Sequence, residues 1–162
     1  MNFREKQQKY NLNINKTIKF NVKVKVTTKK EILLRKNLAK VCRMAYKKGL
    51  LSGYEGNLSL KLNEDLILIT PRNCHKGSIK ASDFIIVDKN GKSLSKKTNQ
   101  PTTEIALHLE TYKVKPNIKA IVHAHPVIMT SFSIAGLNFN KPVIPEMITL
   151  FGEVPIVPYE TS

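Results

Sequence analysis

Short apolar segments that follow one another with brief turns between them constrain the fold of this chain most. The second segment ends at Pro71, and the third is followed by Asn90-Gly91, a dipeptide typical of β-hairpin turns. Strands joined by short turns pair as neighbours, because parallel pairing needs a long crossover connection. The sequence therefore predicts a mixed or antiparallel sheet, with strands over residues 57–61, 65–70, 84–88 and 118–124.

Segments with helical periodicity flank and separate these strands. Thr28 and Glu31 form a capping-box pattern where the first helix begins, and Gly49 ends it. We expect this helix to turn a broad apolar side to the core, formed by Ile32, Leu33, Leu38, Val41, Cys42, Ala45 and Tyr46. Two further helices and a last short strand are predicted over residues 102–114, 126–136 and 154–157.

The positive charge of the chain is concentrated near its start. Residues 1–50 hold 15 of the 27 lysines and arginines but only 2 of the 12 acidic residues. Residues 18–26 alternate strictly between apolar and polar side chains, which predicts a strand. We therefore expect a basic N-terminal extension over residues 1–27. It can attract phosphate polymers nonspecifically, but no base-reading motif accompanies it, so we do not expect nucleic acid as the main partner.

The sequence argues against a membrane-spanning protein and against a secreted protein with a disulfide framework. No apolar run approaches the ~20 residues that a transmembrane helix needs, and no apolar stretch of a secretory signal follows Met1. Cys42 and Cys74 are the only cysteines, which is too few for a disulfide framework. We therefore expect a cytoplasmic protein without a membrane partner.

The strongest local signal for chemistry is His123-Ala124-His125, at the end of a predicted strand. Residues i and i+2 of a strand share a face, so both imidazoles can reach one metal ion. Pro126 then breaks the strand and holds both rings at its end. A catalytic zinc usually takes three protein ligands, so a third ligand is required. Two unrelated histidines at a strand terminus are the alternative.

Glu104 lies in the first turn of the predicted 102–114 helix, where free amides and partial positive charge favour anions. The hydroxyls of Thr102 and Thr103 complete a small anion cradle, and Glu104 could act there as a base. An ordinary threonine cap with an acidic first turn explains the same pattern. His108, one turn later, is interpreted as a hydrogen-bonding packing residue.

Two polar loops could bind a phosphate through their backbone amides. One is Gly56-Asn57-Leu58-Ser59, and the other is Thr70-Pro71-Arg72-Asn73, with Lys76 adding positive charge. Polar turns of this kind are common without any ligand. His75 is predicted to be a surface residue, and neither cysteine has a sequence neighbour that suggests a nucleophile.

Taken in order, these motifs resemble those of the class II aldolase/adducin family, of the L-fuculose-phosphate aldolase type. The resemblance runs from about Leu38 to Tyr159 and depends on the order and spacing of the motifs rather than on any one of them. The motifs are Gly53…Gly56-Asn57-Leu58-Ser59, Ile69-Thr70-Pro71, Lys76-Gly77, Phe84-Ile85-Ile86-Val87-Asp88, Pro101-Thr102-Thr103-Glu104, Val122-His123-Ala124-His125-Pro126 and Val157-Pro158-Tyr159.

The resemblance implies a three-layer α/β/α fold with a central, mostly antiparallel sheet, usually in a homotetramer with sites between subunits. It implies that His123 and His125 bind zinc or another divalent metal ion, and that Glu104 is the catalytic acid/base. It also implies a phosphate site, formed by Asn57, Thr70, Asn73, Thr102 and Thr103.

The reaction implied is metal-dependent cleavage of a small phosphorylated ketose, such as L-fuculose 1-phosphate, into dihydroxyacetone phosphate and an aldehyde. A metal-bound carbonyl and a carboxylate that moves a proton suit this chemistry. Dehydration of methylthioribulose 1-phosphate needs the same two groups and stays open as an alternative. A catalytically inactive, adducin-like interaction module is the other alternative.

The chain departs from the family pattern in two places. Asn73 stands where the phosphate loop normally has glycine, although asparagine tolerates left-handed backbone better than most residues. The family's Asn-His-Gly strand, which donates the third metal histidine, would follow Ser162. We therefore expect an aldolase-type domain over residues 28–162 that is truncated at its C-terminus. Whether it is an active enzyme stays open, since two histidines bind zinc less tightly than three.

Overall fold

The computed structural model describes residues 28–95 and 100–137, together with residues 145, 146, 149, 150, 154 and 156–158. The predicted N-terminal extension with its strand over residues 18–26, and the landmark Tyr159, lie outside the described residues. Of the predicted strand at 154–157, the described residues Val154, Ile156 and Val157 have no regular secondary structure.

A four-stranded antiparallel sheet forms the centre of the described part of the chain. In chain order the strands are β1 (Asn57–Lys61), β2 (Leu66–Ile69), β3 (Ile85–Asp88) and β4 (Ala120–His123). Their order across the sheet is β3-β2-β1-β4, and every neighbouring pair is antiparallel. Gly91 has a φ of 82° in the turn after β3, as the Asn-Gly signal predicts. The antiparallel sheet expected from the short turns is confirmed.

Three helices accompany this sheet within the described residues: α1 (Lys29–Lys47), α2 (Ile105–Val114) and α3 (Val127–Ile134). The Thr28 side chain accepts a hydrogen bond of 3.1 Å from the amide of Glu31, so the predicted cap is confirmed. The prediction that the second helix begins at 102 is wrong, because Pro101 bridges to Pro71 and the Thr102 amide donates to the Thr70 carbonyl. These contacts hold residues 101–102 against the end of β2, so the helix begins only at Ile105.

Helices cover both faces of the sheet, which gives the three-layer α/β/α architecture. On one face, Leu38, Ala39, Cys42 and Ala45 of α1 pack in a core cluster with Leu58, Leu68, Phe84 and Ile86. On the other face, Tyr112 of α2 packs with Ile67, Ile69, Ile85 and Val87. The alternation of side chains along each strand produces both apolar faces.

The broad apolar side predicted for α1 is too broad. Ile32, Leu33, Val41 and Tyr46 are exposed, and a narrower stripe enters the core. At the start of the helix the inward positions belong instead to Glu31 and Arg35. Arg35 Nε lies 2.6 Å from the Glu31 carboxylate, and its Nη1 donates to the Phe84 carbonyl. This ion pair therefore occupies the first turns of the helix face that is apolar from Leu38 onward.

The register of the sheet decides which polar residues face α2. Asn57 and His123 are directly opposite each other in the β1–β4 pair, and Ser59 lies opposite Ile121. Asn57, Ser59 and His123 therefore share the face that α2 covers. No helix in the described residues is long and apolar enough to span a bilayer.

Candidate active site

Three elements meet where β4 ends and bring the chemically active side chains together. β4 supplies His123, with His125 just beyond it, the turn before α2 supplies Glu104, and the start of β1 supplies Asn57. Gly56 makes the close approach possible: its φ is 72°, and a Cβ there would lie 2.8 Å from the His123 carbonyl oxygen. Only glycine combines this backbone conformation with this contact.

The Glu104 carboxylate is the centre of the site. Its Oε2 accepts a hydrogen bond of 2.7 Å from His123 Nδ1 and a second one from the side-chain amide of Asn57. Burial by itself raises the pKa of Glu104, but these two hydrogen bonds and the nearby histidines outweigh it, so the pKa lies below its ordinary value. Glu104 is therefore ionised at neutral pH.

Glu104, His123 and His125 form a group that could hold a metal ion. Their potential ligand atoms all lie within 4.8 Å of one another. His123 uses Nδ1 to bind Glu104, which leaves its Nε2 for a metal, and two imidazoles with one carboxylate suit zinc. From the sequence, Glu104 is predicted only as a base. No local pattern marks it as a ligand, because 19 residues separate it from His123.

A cleft with a volume of about 280 Å³ opens beside this group. Glu104 and His125 line it together with Pro71, Arg72 and Asn73 of the loop that follows β2. Of the predicted phosphate-binding residues, four line this cleft: Asn57, Asn73, Thr102 and Thr103. Asn73 has a φ of 54°, so asparagine adopts a left-handed conformation at the position where the resemblance predicts glycine.

Thr70 is the predicted phosphate-binding residue that the structure does not bring to the lining of the cleft. Its side chain is fully buried, and its hydroxyl oxygen lies 3.3 Å from the Leu58 amide that donates to it. Its carbonyl accepts from the Thr102 amide, so it connects the end of β2 to the turn before α2. The contact of Thr70 with a phosphate stays a prediction.

Lys76 lines the cleft but is not a free surface cation. The residue is 2% exposed, and its ammonium donates to the carbonyls of Tyr54 and Cys74 at 2.9 and 3.0 Å. It therefore fastens the loop before β1 to the loop after β2. Sequence reasoning missed this role, because the two carbonyls that it binds carry no side-chain signal.

The other residues singled out beforehand have structural roles. His75, predicted to be a surface residue, is partly exposed, and its ring also lies 5.1 Å from that of Tyr46 and 5.5 Å from that of Tyr54. Burial raises the pKa of Cys42 to about 11 and also raises that of Cys74, so neither thiol is activated.

His108 is fully buried, which confirms the interpretation as a packing residue. Its ring contacts Ser59 Oγ at 2.7 Å through Nδ1 and the side-chain oxygen of Asn57 through Nε2. Burial, with a smaller contribution from His123, lowers the pKa of His108 to about 4, although Glu104 opposes the shift. The ring is therefore neutral at neutral pH.

Comparison with known proteins assigns a family to this arrangement. The class II aldolase and adducin N-terminal domain matches residues 36–162. A 3-oxo-tetronate 4-phosphate decarboxylase from Pectobacterium atrosepticum is 33% identical over 77% of the chain. An L-fuculose phosphate aldolase from Methanococcus vannielii is 37% identical over 61% of it. A methylthioribulose-1-phosphate dehydratase from Granulibacter bethesdensis is 38% identical over 60% of it.

Solved structures share the fold. YgbL from Escherichia coli, described as a candidate aldolase, epimerase or decarboxylase, superimposes on 82% of the chain with a TM-score of 0.74 and 31% identity. The chain covers 65% of that structure, and 58%, 52% and 44% of the lengths of the three relatives above. It therefore spans about half the length of the curated relatives.

Proposed function

The chain belongs to the class II aldolase and adducin family, and from this premise we propose that it is a metal-dependent lyase acting on a small phosphorylated sugar. One observation carries the proposal: the ligand atoms of Glu104, His123 and His125 converge within 4.8 Å beside a polar cleft. The lining of the cleft also includes Arg72, Asn73, Thr102 and Thr103, which could bind the phosphate of such a substrate.

We propose that Glu104, His123 and His125 hold a divalent metal ion, with zinc as the first candidate. These three side chains suit a zinc ion, because imidazole nitrogen and carboxylate oxygen are ligands that zinc takes in catalytic sites. When bound, the ion would supply a Lewis acid for the carbonyl oxygen of the substrate, where negative charge develops as the adjacent bond breaks.

Glu104 is also the proposed acid/base. Asn57 and His123 both donate to Oε2, so Oε1 keeps its lone pairs for a proton or for the metal. The two donors keep the carboxylate ionised, which suits a group that first removes a proton. The variant Glu104→Gln tests whether this carboxylate serves both as a metal ligand and as the base.

The cleft beside Glu104 also contains the proposed phosphate site. Asn73, Thr102 and Thr103 line it together with Arg72, whose guanidinium suits a phosphate. Asn57 and Thr70 stay predicted neighbours of the phosphate, although their side chains already bind Glu104, His108 and the Leu58 amide.

Two carbon–carbon cleavages are the leading candidate reactions. Retro-aldol cleavage of a ketose 1-phosphate into dihydroxyacetone phosphate and an aldehyde is supported by the Methanococcus vannielii relative. Decarboxylation of a phosphorylated 3-oxo acid is supported by the Pectobacterium atrosepticum relative, which aligns with more of this chain. Dehydration of methylthioribulose 1-phosphate is the third candidate, supported by the Granulibacter bethesdensis relative.

The first test is a zinc titration of the 162-residue chain by calorimetry, beside the double variant His123→Ala/His125→Ala. We expect one zinc per chain, and no binding by the double variant. The loaded chain is then assayed for loss of each of three substrates: L-fuculose 1-phosphate, 3-oxo-tetronate 4-phosphate and methylthioribulose 1-phosphate.

Glu104→Gln separates the roles of the carboxylate. As acid/base, Glu104 contributes on the order of 10²–10⁴-fold to turnover, so the variant should lose that factor. If the variant also loses zinc, the carboxylate is a ligand as well. Binding of zinc without turnover of any of the three substrates would contradict the enzymatic proposal and favour the adducin-like interaction module.

We further propose that the chain acts in the cytoplasm as a homotetramer, the usual assembly of the family it resembles. The support within this chain is α3, which carries large apolar side chains at exposed positions, among them Val127, Ile128 and Ile134. Sedimentation equilibrium of the whole chain measures this assembly directly.

A further inference from the structure

A row of buried polar side chains lies behind Glu104, and the proposed reaction does not require it. The Tyr112 hydroxyl lies 2.8 Å from Ser59 Oγ, which lies 2.7 Å from His108 Nδ1. His108 Nε2 contacts the side-chain oxygen of Asn57, and the Asn57 amide nitrogen contacts Glu104. None of the first four residues is more than 5% exposed. We call Tyr112, Ser59, His108 and Asn57 the buried row.

Simple chemistry assigns every proton along the buried row. An ionised carboxylate only accepts, so Asn57 must turn its NH₂ group to Glu104 and its oxygen to His108. That oxygen also only accepts, so His108 must carry its proton on Nε2. In a neutral ring Nδ1 is then an acceptor, and the Ser59 hydroxyl donates to it. The Tyr112 hydroxyl in turn donates to Ser59.

We propose that His108, held by Ser59 and Tyr112, is a positioning residue that fixes the side-chain amide of Asn57 with its NH₂ group on Glu104. The inference rests on the proposed function, because Glu104 matters as ligand and acid/base. A flipped amide would bring the Asn57 oxygen against the carboxylate and leave two acceptors in contact. With its partners fixed, Asn57 holds Glu104 in one orientation beside His123.

The composition of the row favours positioning over simple packing. Burying four polar side chains costs desolvation that an apolar core of the same shape would avoid. The neighbouring positions on this face, such as Ile67 and Ile69, are apolar and pack on Tyr112. The polar residues instead form one unbroken row that ends at the carboxylate of the site. Fully satisfied rows of this kind fix one arrangement of their members.

The first arm of the test needs neither metal nor substrate. Nitrogen-15 NMR of the whole, metal-free chain with labelled histidine reports the tautomer of each ring. We expect His108 to be neutral at pH 7 with its proton on Nε2. A proton on Nδ1 would require the opposite orientation of Asn57 and would overturn the proposal, whatever the outcome for zinc.

The second arm compares zinc affinities of His108→Gln, His108→Leu and Leu68→Ala. Glutamine keeps an NH donor near the position of Nε2, whereas leucine removes it. Leu68 is fully buried on the opposite face of the sheet, so Leu68→Ala controls for a loss of stability alone. We expect His108→Leu to bind zinc 10–100-fold more weakly, as for other outer-shell variants, and the other two variants to bind like the parent chain.

Each further outcome decides the proposal. Equal zinc affinity in His108→Leu and the parent chain would overturn it, as would equal loss in the glutamine and leucine variants. If His108→Leu does not fold, Ser59→Ala and Tyr112→Phe replace it, and they should shift the nitrogen-15 resonances of His108 without moving those of His75. If the parent chain binds no zinc, the proposed function fails, but the tautomer still decides the role of His108.

Discussion

Asn73 shows at the scale of one residue how the chain meets a backbone requirement without glycine. Its φ of 54° lies in the left-handed region, which asparagine enters more readily than other side chains with a Cβ. We expect Asn73→Ala to lower the free energy of unfolding by roughly 1 kcal/mol, and Asn73→Gly to leave it nearly unchanged. Urea denaturation measures both. An alanine variant as stable as the parent would show that the loop does not need this conformation.

The stability of the chain should depend on the protonation of His108. Its pKa is about 4 in the folded chain and about 6.5 when unfolded, so the unfolded state binds more protons in acid. The stability that neutral His108 contributes is complete above pH 6.5 and is lost as the pH falls through 4. The full difference is about 3 kcal/mol.

Denaturation of the parent chain and of His108→Gln at pH 7 and pH 4 checks this dependence. The glutamine variant has no titratable group at this position. Its loss of stability between pH 7 and pH 4 should therefore be smaller by about 3 kcal/mol than that of the parent chain. An equal loss in both proteins would mean that His108 is not neutral in the folded chain.

At the scale of the element, the start of α1 depends on a buried ion pair. Glu31 is 5% exposed, and its carboxylate binds Arg35, which also donates to the Phe84 carbonyl just before β3. We expect Arg35→Ala to lower the free energy of unfolding by about 3 kcal/mol, because it leaves the Glu31 charge buried and unpaired.

The double variant Glu31→Ala/Arg35→Ala tests the reason for that loss. Because it removes both charges, it should be more stable than Arg35→Ala alone. Chemical denaturation of both variants gives the comparison. If the double variant were the less stable of the two, the cost would come from lost packing rather than from the unpaired charge.

At the scale of the whole molecule, the exposed apolar side chains of α3 should control association. Ile128 is 69% exposed and Ile134 is 84% exposed, so each could bury apolar area against another copy of the chain. We expect Ile128→Lys/Ile134→Lys to dissociate the proposed homotetramer in sedimentation equilibrium. Leu33→Lys, at a position of α1 that is 57% exposed, is the control and should leave the assembly unchanged. A parent chain that is monomeric at every concentration would contradict the proposal.

Local features of the fold were determined by the sequence itself. Short apolar segments bounded by turn residues located four strands, Asn90-Gly91 marked a turn, and Thr28 marked a helix start, because each depends on neighbouring residues and their backbone preferences. The His123-Ala124-His125 pattern belongs to this group, since its short spacing brings the two ring centroids within 5.0 Å although β4 ends at His123. These features need no knowledge of what packs against them.

Tertiary structure decided which of these local features form the site and which residues are buried. The pairing of Asn57 with His123, the place of Glu104 outside its helix and the burial of Lys76 and Thr70 each depend on contacts between residues far apart in the chain. The same holds for the start of α1. There Glu31 and Arg35 face inward, whereas the sequence predicted that Ile32 and Leu33 would do so. Sequence patterns report local preference, whereas the site exists only where the register of the sheet brings distant side chains together.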